Sequence, residues 1–354
     1  MTTSRRTFLK TAGYLSLAFA MPWDAALSQA PNDKPRLPGD LESTRKLSAW
    51  LRINADQTVT LMVGKVELGQ GILTAVAQVC ADELDIEMRR LQIISGDTAL
   101  VPNEGVTAGS TSVSNCATAV QHASAEVRAI LLALAAEKLQ QDIASLQVQD
   151  GQVMATNGRS THYWELVTGQ TLEREATGKA KLKPAGQHRY IGQSIPRLDL
   201  AAKTMGDAIF VQEMRPKGML FGHVVRPPTY TGKLLSVNEQ TARSMPGVVA
   251  VVRNGSFLGV IAKREAQALA AAQALEASAQ WQVDKALPTH EGIYDWLRQT
   301  KPNRVIQNKN QTRSDTQAPT TTLSATYLRP YQMHGSIGTS AAIATLGTDG
   351  VMLI

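Results

Sequence analysis

Cysteine is scarce in this sequence. Cys80 and Cys116 are the only two among 354 residues. Two thiols cannot build a disulfide framework, and they cannot supply the four thiolates of a zinc or iron–sulfur site. The six histidines are scattered, with no HExxH motif and no CxxC motif. A catalytic metal ligated by the protein itself is therefore not expected, and both cysteines are interpreted as structural.

Runs of basic residues and long apolar runs are also missing. Lys and Arg number 36 against 30 Asp and Glu, a formal net charge of +6. Such a mild charge without a basic patch gives no reason to expect a nucleic-acid partner. Charged residues are 19% and hydrophobic residues 43%, which excludes a disordered chain and a multi-span membrane protein. The length predicts two or three domains.

The first 30 residues have the pattern of an export signal. A basic segment, SRRTFLK at residues 4–10, precedes an uncharged stretch over residues 11–23, and small residues follow at Ser28 and Ala30. A basic region, an apolar region and a small-residue cleavage site define a signal peptide. The paired arginines resemble a twin-arginine signal, which predicts a periplasmic protein, with the membrane surface as an alternative location. An ordinary basic N-terminus is the competing interpretation.

Local patterns predict the organisation of the first half of the chain. Prolines and glycines in polar company predict a linker over residues 31–48. Asp82 and Glu83 are interpreted as part of a solvated face. Hydrophobic periodicity and turn residues then predict a strand over Thr58–Val63, a helix over Thr74–Leu84, a short strand over Leu91–Ile94, a loop over Gly96–Ser112, a helix over Val113–Leu139, and a hairpin at Asp150-Gly151.

The second half is predicted to hold two further units. A polar linker over 169–189 precedes a small α+β unit over 190–285, whose hairpin turns at Asn254-Gly255 and whose helix follows from Arg264. A second linker covers 286–322. A third unit begins at 323, and the chain stops on an apolar, strand-like end, residues 351–354, with no strand partner in sequence. This end predicts a truncated chain.

Two loops could bind an anion. Gly69-Gln70-Gly71 lies between a predicted strand and a predicted helix, where missing side chains and free N–H groups favour a ligand. It is not a dinucleotide fingerprint, because Thr74 stands where the third glycine belongs. Residues 107–112, TAGSTS, open the long helix with N–H and O–H donors. A glycine turn without ligand, and N-capping by Ser112 or Ser114, are the alternatives.

A third motif lies near the end of the chain. HGSIG at residues 334–338 nearly matches the nucleophile elbow of serine hydrolases, but His334 replaces its first glycine. A serine hydrolase is therefore a remote alternative. Gln332 and His334 could instead hydrogen-bond a ligand, and the default interpretation of both is structural.

Four segments together resemble the molybdenum-binding subunits of the xanthine dehydrogenase family. VGKVELGQGILTAVAQVCADEL (63–84) resembles their Gly-Gln-Gly cofactor segment, and GDTALVPNEGVTAGSTSVSN (96–115) their second cofactor loop. RLDLAAKTMGDAIFVQEMRPKGMLFGHVVRPP (197–228) with SMPGVVAVV (244–252) resembles their α/β hammerhead domain, and YLRPYQMHGSIGTS (327–340) a segment beside the metal. The hammerhead follows the Gly-Gln-Gly segment, an order that resembles the permuted isoquinoline 1-oxidoreductase β-subunit type.

The resemblance implies a fold and a site. It implies an α+β chain with a molybdenum-cofactor-binding subdomain over 49–168, a hammerhead domain over 190–285 and the start of a further cofactor-binding domain over 323–354. It implies that Gln332 lies near the metal, which the pterin holds. The residues implied to bind a molybdopterin cytosine dinucleotide are Gly69, Gln70 through its amide, Gly71, and Ala108, Gly109 and Ser110 through backbone N–H groups.

The resemblance also implies a reaction. The intact enzyme would hydroxylate an electron-poor carbon of a small N-heterocycle or aldehyde, with oxygen from water and a glutamate base outside these 354 residues. Electrons would leave through a small partner subunit with [2Fe–2S] clusters, with a cytochrome c as a further acceptor. Thr339 and Ala341 depart from the Pro and Cys of close relatives. A non-catalytic exported fragment or binding module is the alternative from another class.

Overall fold

The computed structural model describes residues 35–167, 173–207, 210–283, 287–304, 321, 323–333, 335, 338, 340–348 and 352–353. The predicted signal segment lies outside the described residues, as do His334 and Ser336 of the elbow-like motif. The chain divides into two compact units, with the division after Asp207. Both units mix helices and strands, as predicted.

A mixed three-stranded sheet organises the first unit. Its order is β1-β2-β3, with β1 antiparallel to β2 and β2 parallel to β3. The helix α1 connects the two parallel strands, so β2, α1 and β3 form a β-α-β crossover unit. The carboxyl ends of β2 and β3 therefore lie at the same edge of the sheet. The bounds are Leu51–Ile53 for β1, Val59–Val63 for β2, Ile72–Leu84 for α1 and Leu91–Ser95 for β3.

Two helices carry the core beside this sheet. The apolar stripe of α1 is buried, and burial raises the pKa of its Cys80 thiol to about 12. The helix α2, Thr118–Leu139, follows a six-residue π-helix, Ser112–Ala117. The buried face of α2 includes Val120, Val127 and Leu131, each at most 1% exposed. Burying one such side chain contributes about 1.5–3 kcal/mol, so these two faces stabilise the unit.

The hairpin predicted at Asp150-Gly151 is confirmed. Both residues have positive φ, 48° and 76°, as a two-residue turn that follows strand twist requires. The Asp150 carboxylate also accepts two hydrogen bonds from Arg90, of 2.6 and 2.7 Å, which fasten the turn to the sheet. The strands are β4, Leu146–Gln149, β5, Gln152–Ala155, and β6, Ser160–His162, followed by α3, Tyr163–Leu166.

The segment predicted as a linker over 31–48 is part of the core where the structure describes it. Leu37, Leu41 and Leu47 are at most 3% exposed and belong to the same apolar cluster as the sheet. Two 3-10 turns, Gly39–Glu42 and Leu47–Ala49, carry two of these leucines. The prolines and glycine that suggested a linker separate leucines that pack inward.

The interpretation of Asp82 and Glu83 as solvated is wrong, because both side chains are fully buried. Asp82 accepts hydrogen bonds from the backbone N–H groups of Arg189, Tyr190 and Ile191, at 2.7, 3.1 and 2.8 Å. Glu83 accepts one from the N–H of Lys183 at 3.2 Å. A buried carboxylate is tolerated only when such bonds replace its hydration. The two acids therefore hold a distant stretch of chain against α1.

This attachment moves a predicted boundary. The first unit does not end at 168, and residues 173–207 pack onto it, including the short helix α4, Leu200–Met205. The predicted linker over 169–189 is thus a packed segment where it is described, with one 3-10 turn at Ala185–Gln187. The second compact unit begins after Asp207 and not at Tyr190.

A three-stranded antiparallel sheet organises the second unit. Its order is β7-β10-β9, and α6 packs on it through Ala271 and Leu275. The predicted hairpin is confirmed, with Asn254 as the last residue of β9 and Gly255–Ser256 as the turn. The bounds are Phe221–Val225 for β7, Lys233–Ser236 for β8, Glu239–Arg243 for α5, Val248–Asn254 for β9, Phe257–Ala262 for β10, Glu265–Ser278 for α6 and Gln280–Gln282 for β11.

The remaining elements are short. The helix α7 covers Ile293–Gln299, and β12, Thr345–Leu346, pairs antiparallel with β13, Met352–Leu353. The apolar end of the chain thus has a strand partner, contrary to the expectation from sequence. Over the residues that the structure describes, no helix combines the length and apolar character that a bilayer crossing requires.

Candidate functional site

Two loops leave the same edge of the first sheet. One follows β2 and carries Gly69-Gln70-Gly71 into α1, and the other follows β3 and carries Ala108-Gly109-Ser110 into the π-helix. Ligands of sheets with parallel strands bind outside the carboxyl ends of those strands. The topology therefore brings six of the seven predicted site residues to the position where a ligand is expected.

The buried side chain of Lys65 joins the two loops. Lys65 is 3% exposed, and its ammonium donates hydrogen bonds to the backbone carbonyls of Glu104 and, at 3.0 Å, Val106. The N–H of Val66 donates to the hydroxyl of Thr107 at 3.0 Å. These bonds span about forty positions of sequence and place the loops side by side.

The contact below the loops requires a glycine. A Cβ at Gly64 would lie 2.4 Å from the carbonyl oxygen of Pro102, so no side chain fits there. The N–H of Gly64 donates to Oε2 of Glu104 at 2.5 Å. Glu104 is 8% exposed and comes from the second loop. The loops are thus tied at a second point, beside Lys65.

Gly69 and Gly71 face open space. Their φ angles are 103° and 79°, values that glycine adopts without strain. A Cβ at either position would meet no atom within 4 Å, and Gly69 and Gln70 are exposed. The turn therefore leaves room on its outer side for a ligand to approach the backbone.

The carboxylate of Glu67 organises this turn. Its Oε1 accepts hydrogen bonds from the N–H groups of Gly69 and Gly71, both at 2.8 Å. Arg197 lies beside it, with Nη2 3.5 Å from Oε1 of Glu67, and donates to the carbonyl of Gly69 at 2.8 Å. The pKa of Asp199, which holds Arg197 and Lys203, is well below its usual range because of those two partners. An internal anion and a cation thus set the shape of the turn.

Gln70 uses its amide inside its own loop. Its Oε1 accepts from the N–H of Leu68 at 2.5 Å, and its Nε2 donates to the carbonyl of Val66 at 3.1 Å. Both hydrogen bonds are exposed to solvent, so water competes with the Gln70 amide for the same backbone groups. An outward rotation of this side chain would free its donor for a ligand.

The second loop presents unused donors. Gly109 and Ser110 have φ angles of 68° and 59° and are exposed. Among the hydrogen bonds of the described residues, none uses the backbone N–H of either one. The N–H of Ala108 donates to the carbonyl of Val106 at 3.1 Å. The capping alternative is not seen, since Ser114 donates to the carbonyl of Thr111 and the helix start has no side-chain cap.

Gln332 belongs to the second unit. Its side chain is exposed, and Oε1 accepts a hydrogen bond of 2.9 Å from Nε of Arg329. His334 lies outside the described residues. Gln332, the seventh predicted site residue, therefore lies in the second unit, and its place near the metal stays a prediction.

Four residues of the site were not among the sequence candidates. Lys65 and Glu67 come shortly after a strand that is buried along its whole length. Charged residues just beyond a buried strand indicate a functional loop, so these two could have been found from the sequence. Glu104 and Arg197 gave no such signal, because their partners are about forty and 128 positions away. Arg197 had been placed in the hammerhead segment, and the structure places it on the first unit.

The arrangement fits an extended anionic cofactor. Three features of the connected loops favour an anion. They are the exposed backbone N–H groups of Gly109 and Ser110, the open outer side of the Gly69–Gly71 turn, and the guanidinium of Arg197. Such groups bind phosphates and polar rings. Residues 28–196 match the molybdopterin cofactor-binding domain family. This match and the geometry define the class of the first unit as a molybdopterin cofactor-binding domain.

Individual relatives extend this match beyond the first unit. A nicotinate dehydrogenase chain of Pseudomonas putida is 36% identical over 85% of this chain and 26% of its own length. A protein of Gluconacetobacter polyoxogenes named membrane-bound aldehyde dehydrogenase [pyrroloquinoline-quinone] is 30% identical over 70% of this chain and 32% of its own. The β-subunit of isoquinoline 1-oxidoreductase from Brevundimonas diminuta is 26% identical, over 69% and 36%.

The chain is similar to molybdopterin-binding proteins of the xanthine dehydrogenase family, in agreement with the resemblance of its segments. It spans about a quarter to a third of the length of the curated relatives that it matches.

Replacing Glu67 by Gln should loosen the Gly69–Gly71 turn. The neutral amide keeps one acceptor but loses the charge that strengthens both N–H bonds, and we expect the free energy of unfolding to fall by about 1–2 kcal/mol. Urea denaturation measures this loss, and hydrogen exchange of the Gly69 and Gly71 amides should accelerate. Glu137→Gln, an exposed position on α2, is the matched control. Unchanged exchange at both glycines would contradict the role given to Glu67.

Proposed function

We propose that this chain is part of the large subunit of a molybdenum hydroxylase and binds a molybdopterin cytosine dinucleotide over the two fastened loops. The observation that carries the proposal is the pairing of these loops at the carboxyl ends of β2 and β3. Their exposed backbone and the neighbouring Arg197 favour an anionic cofactor. The family match over residues 28–196 supports the same conclusion.

Each predicted residue has a role in holding the cofactor. Gly109 and Ser110 donate hydrogen bonds from their backbone N–H groups. The N–H of Ala108 holds the loop in place through its hydrogen bond to the carbonyl of Val106. Gly69 and Gly71 allow the ligand to reach the backbone, since no atom occupies the space above them. Gln70 donates its Nε2 once it releases the carbonyl of Val66. Arg197 contributes positive charge beside Gly69.

The bound molybdenum centre supplies an oxidation in which oxygen from water is added to a substrate carbon. The protein's part is to bind, orient and shield the cofactor. Relatives named for nicotinate, isoquinoline and aldehydes support a small N-heterocycle or an aldehyde as substrate. Gln332 is proposed to lie near the metal. A small [2Fe–2S] subunit is proposed as the electron acceptor, with a cytochrome c as a further one.

The α/β hammerhead domain predicted over 190–285 is proposed to be the part of the second unit that ends at 285. Its β7-β10-β9 sheet with α6 packed on one face is a small α+β architecture of the kind that the segment resemblance implies. The competing proposal is a non-catalytic exported fragment or binding module that reuses these loops and holds no molybdenum. Cofactor content distinguishes the two.

Export by the twin-arginine route is proposed from Arg5 and Arg6. Changing both arginines to lysine keeps the charge but removes the paired guanidinium groups that such a signal requires. We expect the wild-type chain in the periplasmic fraction of its host and the double variant in the cytoplasm. Periplasmic recovery of the double variant at wild-type level would exclude this route.

Molybdenum content is the test of the proposed function. We expect near-stoichiometric molybdenum by elemental mass spectrometry, and cytidine monophosphate on nucleotide release, from chain purified from its native host. The variant Gly71→Asp should lose both, because a carboxylate in the open space above the turn repels an anionic cofactor. Asp tolerates positive φ, so the fold should survive.

The control is Gly158→Asp. Gly158 has a φ of 85° and open space around its Cβ position, like Gly71, and lies in the turn between β5 and β6. It should retain the wild-type molybdenum content. Equal losses in both variants, a folded wild-type chain without molybdenum, or release of pyrroloquinoline quinone in its place would overturn the proposal.

A further inference from the structure

The buried carboxyl of Glu104 and the half-buried carboxyl of Asp40 meet beneath the second loop. Glu104 accepts the N–H of Gly64 through Oε2, while its buried Oε1 has no donor. Asp40 lies in the 3-10 turn Gly39–Glu42 and likewise has a buried oxygen, Oδ2, without a donor. The two side chains are within hydrogen-bonding reach of each other. The same contact therefore leaves one oxygen of each carboxyl unsatisfied as long as both are ionised.

The other groups that face this pair come from two more elements. Cys116, on the π-helix, lies beside Glu104, and burial raises the pKa of its thiol, so it is a neutral S–H. Lys65 donates its ammonium to the carbonyl of Glu104. Among the described residues, the cluster thus holds one cation and two carboxyls. It is electrically neutral when the two carboxyls carry one proton between them.

Two adjacent carboxylates out of water repel strongly, so one of them takes up a proton. Burial, with the neighbouring Asp40, raises the pKa of Glu104 above its ordinary value. A proton on Glu104 also converts an orphaned acceptor into a donor. It then satisfies Oε1 of Glu104 and Oδ2 of Asp40 with one hydrogen bond.

We propose that Asp40 and Glu104 share one proton in the native protein, as an acid–carboxylate pair that joins the Gly39–Glu42 turn to the second cofactor loop. Loss of this proton places a second negative charge under the loop and weakens the joint. The pair is a positioning element and does not depend on which cofactor the loops bind.

The sign of the pH effect follows from the raised pKa of Glu104. The contribution of this carboxyl to stability is complete below its pKa in the unfolded chain, and it is lost as pH rises through the higher folded-state pKa. Carboxyls with a lowered pKa have the opposite profile. Glu42, whose pKa is lowered by its hydrogen bond with Arg45, is one of them. The contribution of the Asp40–Glu104 pair is therefore measured as the difference in stability between wild type and variant at each pH.

Glu104→Gln imitates the protonated state. A glutamine oxygen can accept from the N–H of Gly64 while its NH₂ donates to Asp40, and it does not titrate. We expect its midpoint of thermal unfolding to match the wild type below the pKa of Glu104 and to exceed it by about 3 °C once the pH has risen through that pKa. Asp40→Asn should give the same trend. Glu137→Gln, exposed on α2, should run parallel to the wild type at every pH.

A constant loss of stability in Glu104→Gln across this pH range would overturn the proposal, because it would mean that Glu104 acts as an ordinary ionised acceptor. Infrared spectroscopy of the full chain tests the wild type directly. A carbonyl stretch of a protonated carboxyl should be present at pH 7 and absent from Glu104→Gln. Its absence from the wild type at pH 7 would refute the shared proton even if the variants fail to fold.

Discussion

The hydrogen bonding of the buried Lys65 ammonium is the interaction on which the arrangement of the two loops depends. An ammonium at 3% exposure has lost its water and needs oxygen acceptors in exchange. It finds two of them in the carbonyls of Glu104 and Val106, and so fixes the path of the second loop against the end of β2. The close approach at Gly64 and the carboxyl pair of Asp40 and Glu104 are possible only with the loop in this position.

The first loop is organised by charge in the same way. A helix start has unsatisfied N–H groups, and the Glu67 carboxylate accepts a hydrogen bond from the N–H of Gly71, the N-cap of α1, and another from the N–H of Gly69 in the preceding turn. Arg197 balances this charge and belongs to a segment that Asp82 and Glu83 hold against α1. Buried acids far from the loop thus contribute to its geometry, because they fix the segment from which Arg197 reaches the turn.

Local elements were predictable from the sequence, and long-range attachments were not. The strand before Gly69, the helix after it and the hairpin at Asp150-Gly151 follow from periodicity and turn residues that act over a few positions. The burial of Asp82 depends on N–H groups about 107 positions away, and composition gives no sign of them. The segment over 35–48 looked like a linker because its prolines and glycine outweighed its buried leucines in the pattern.

The same distinction applies to the candidate site. Six of its residues were found from two glycine-rich motifs and a family resemblance, while Lys65, Glu104 and Arg197 act through partners that only the fold brings near. The central claim is that the two fastened loops together hold one cofactor. An electron-density map of the cofactor-loaded chain tests it most directly. Density over both Gly69–Gly71 and Ala108–Ser110 is the predicted result, and cofactor density that touches neither loop would contradict it.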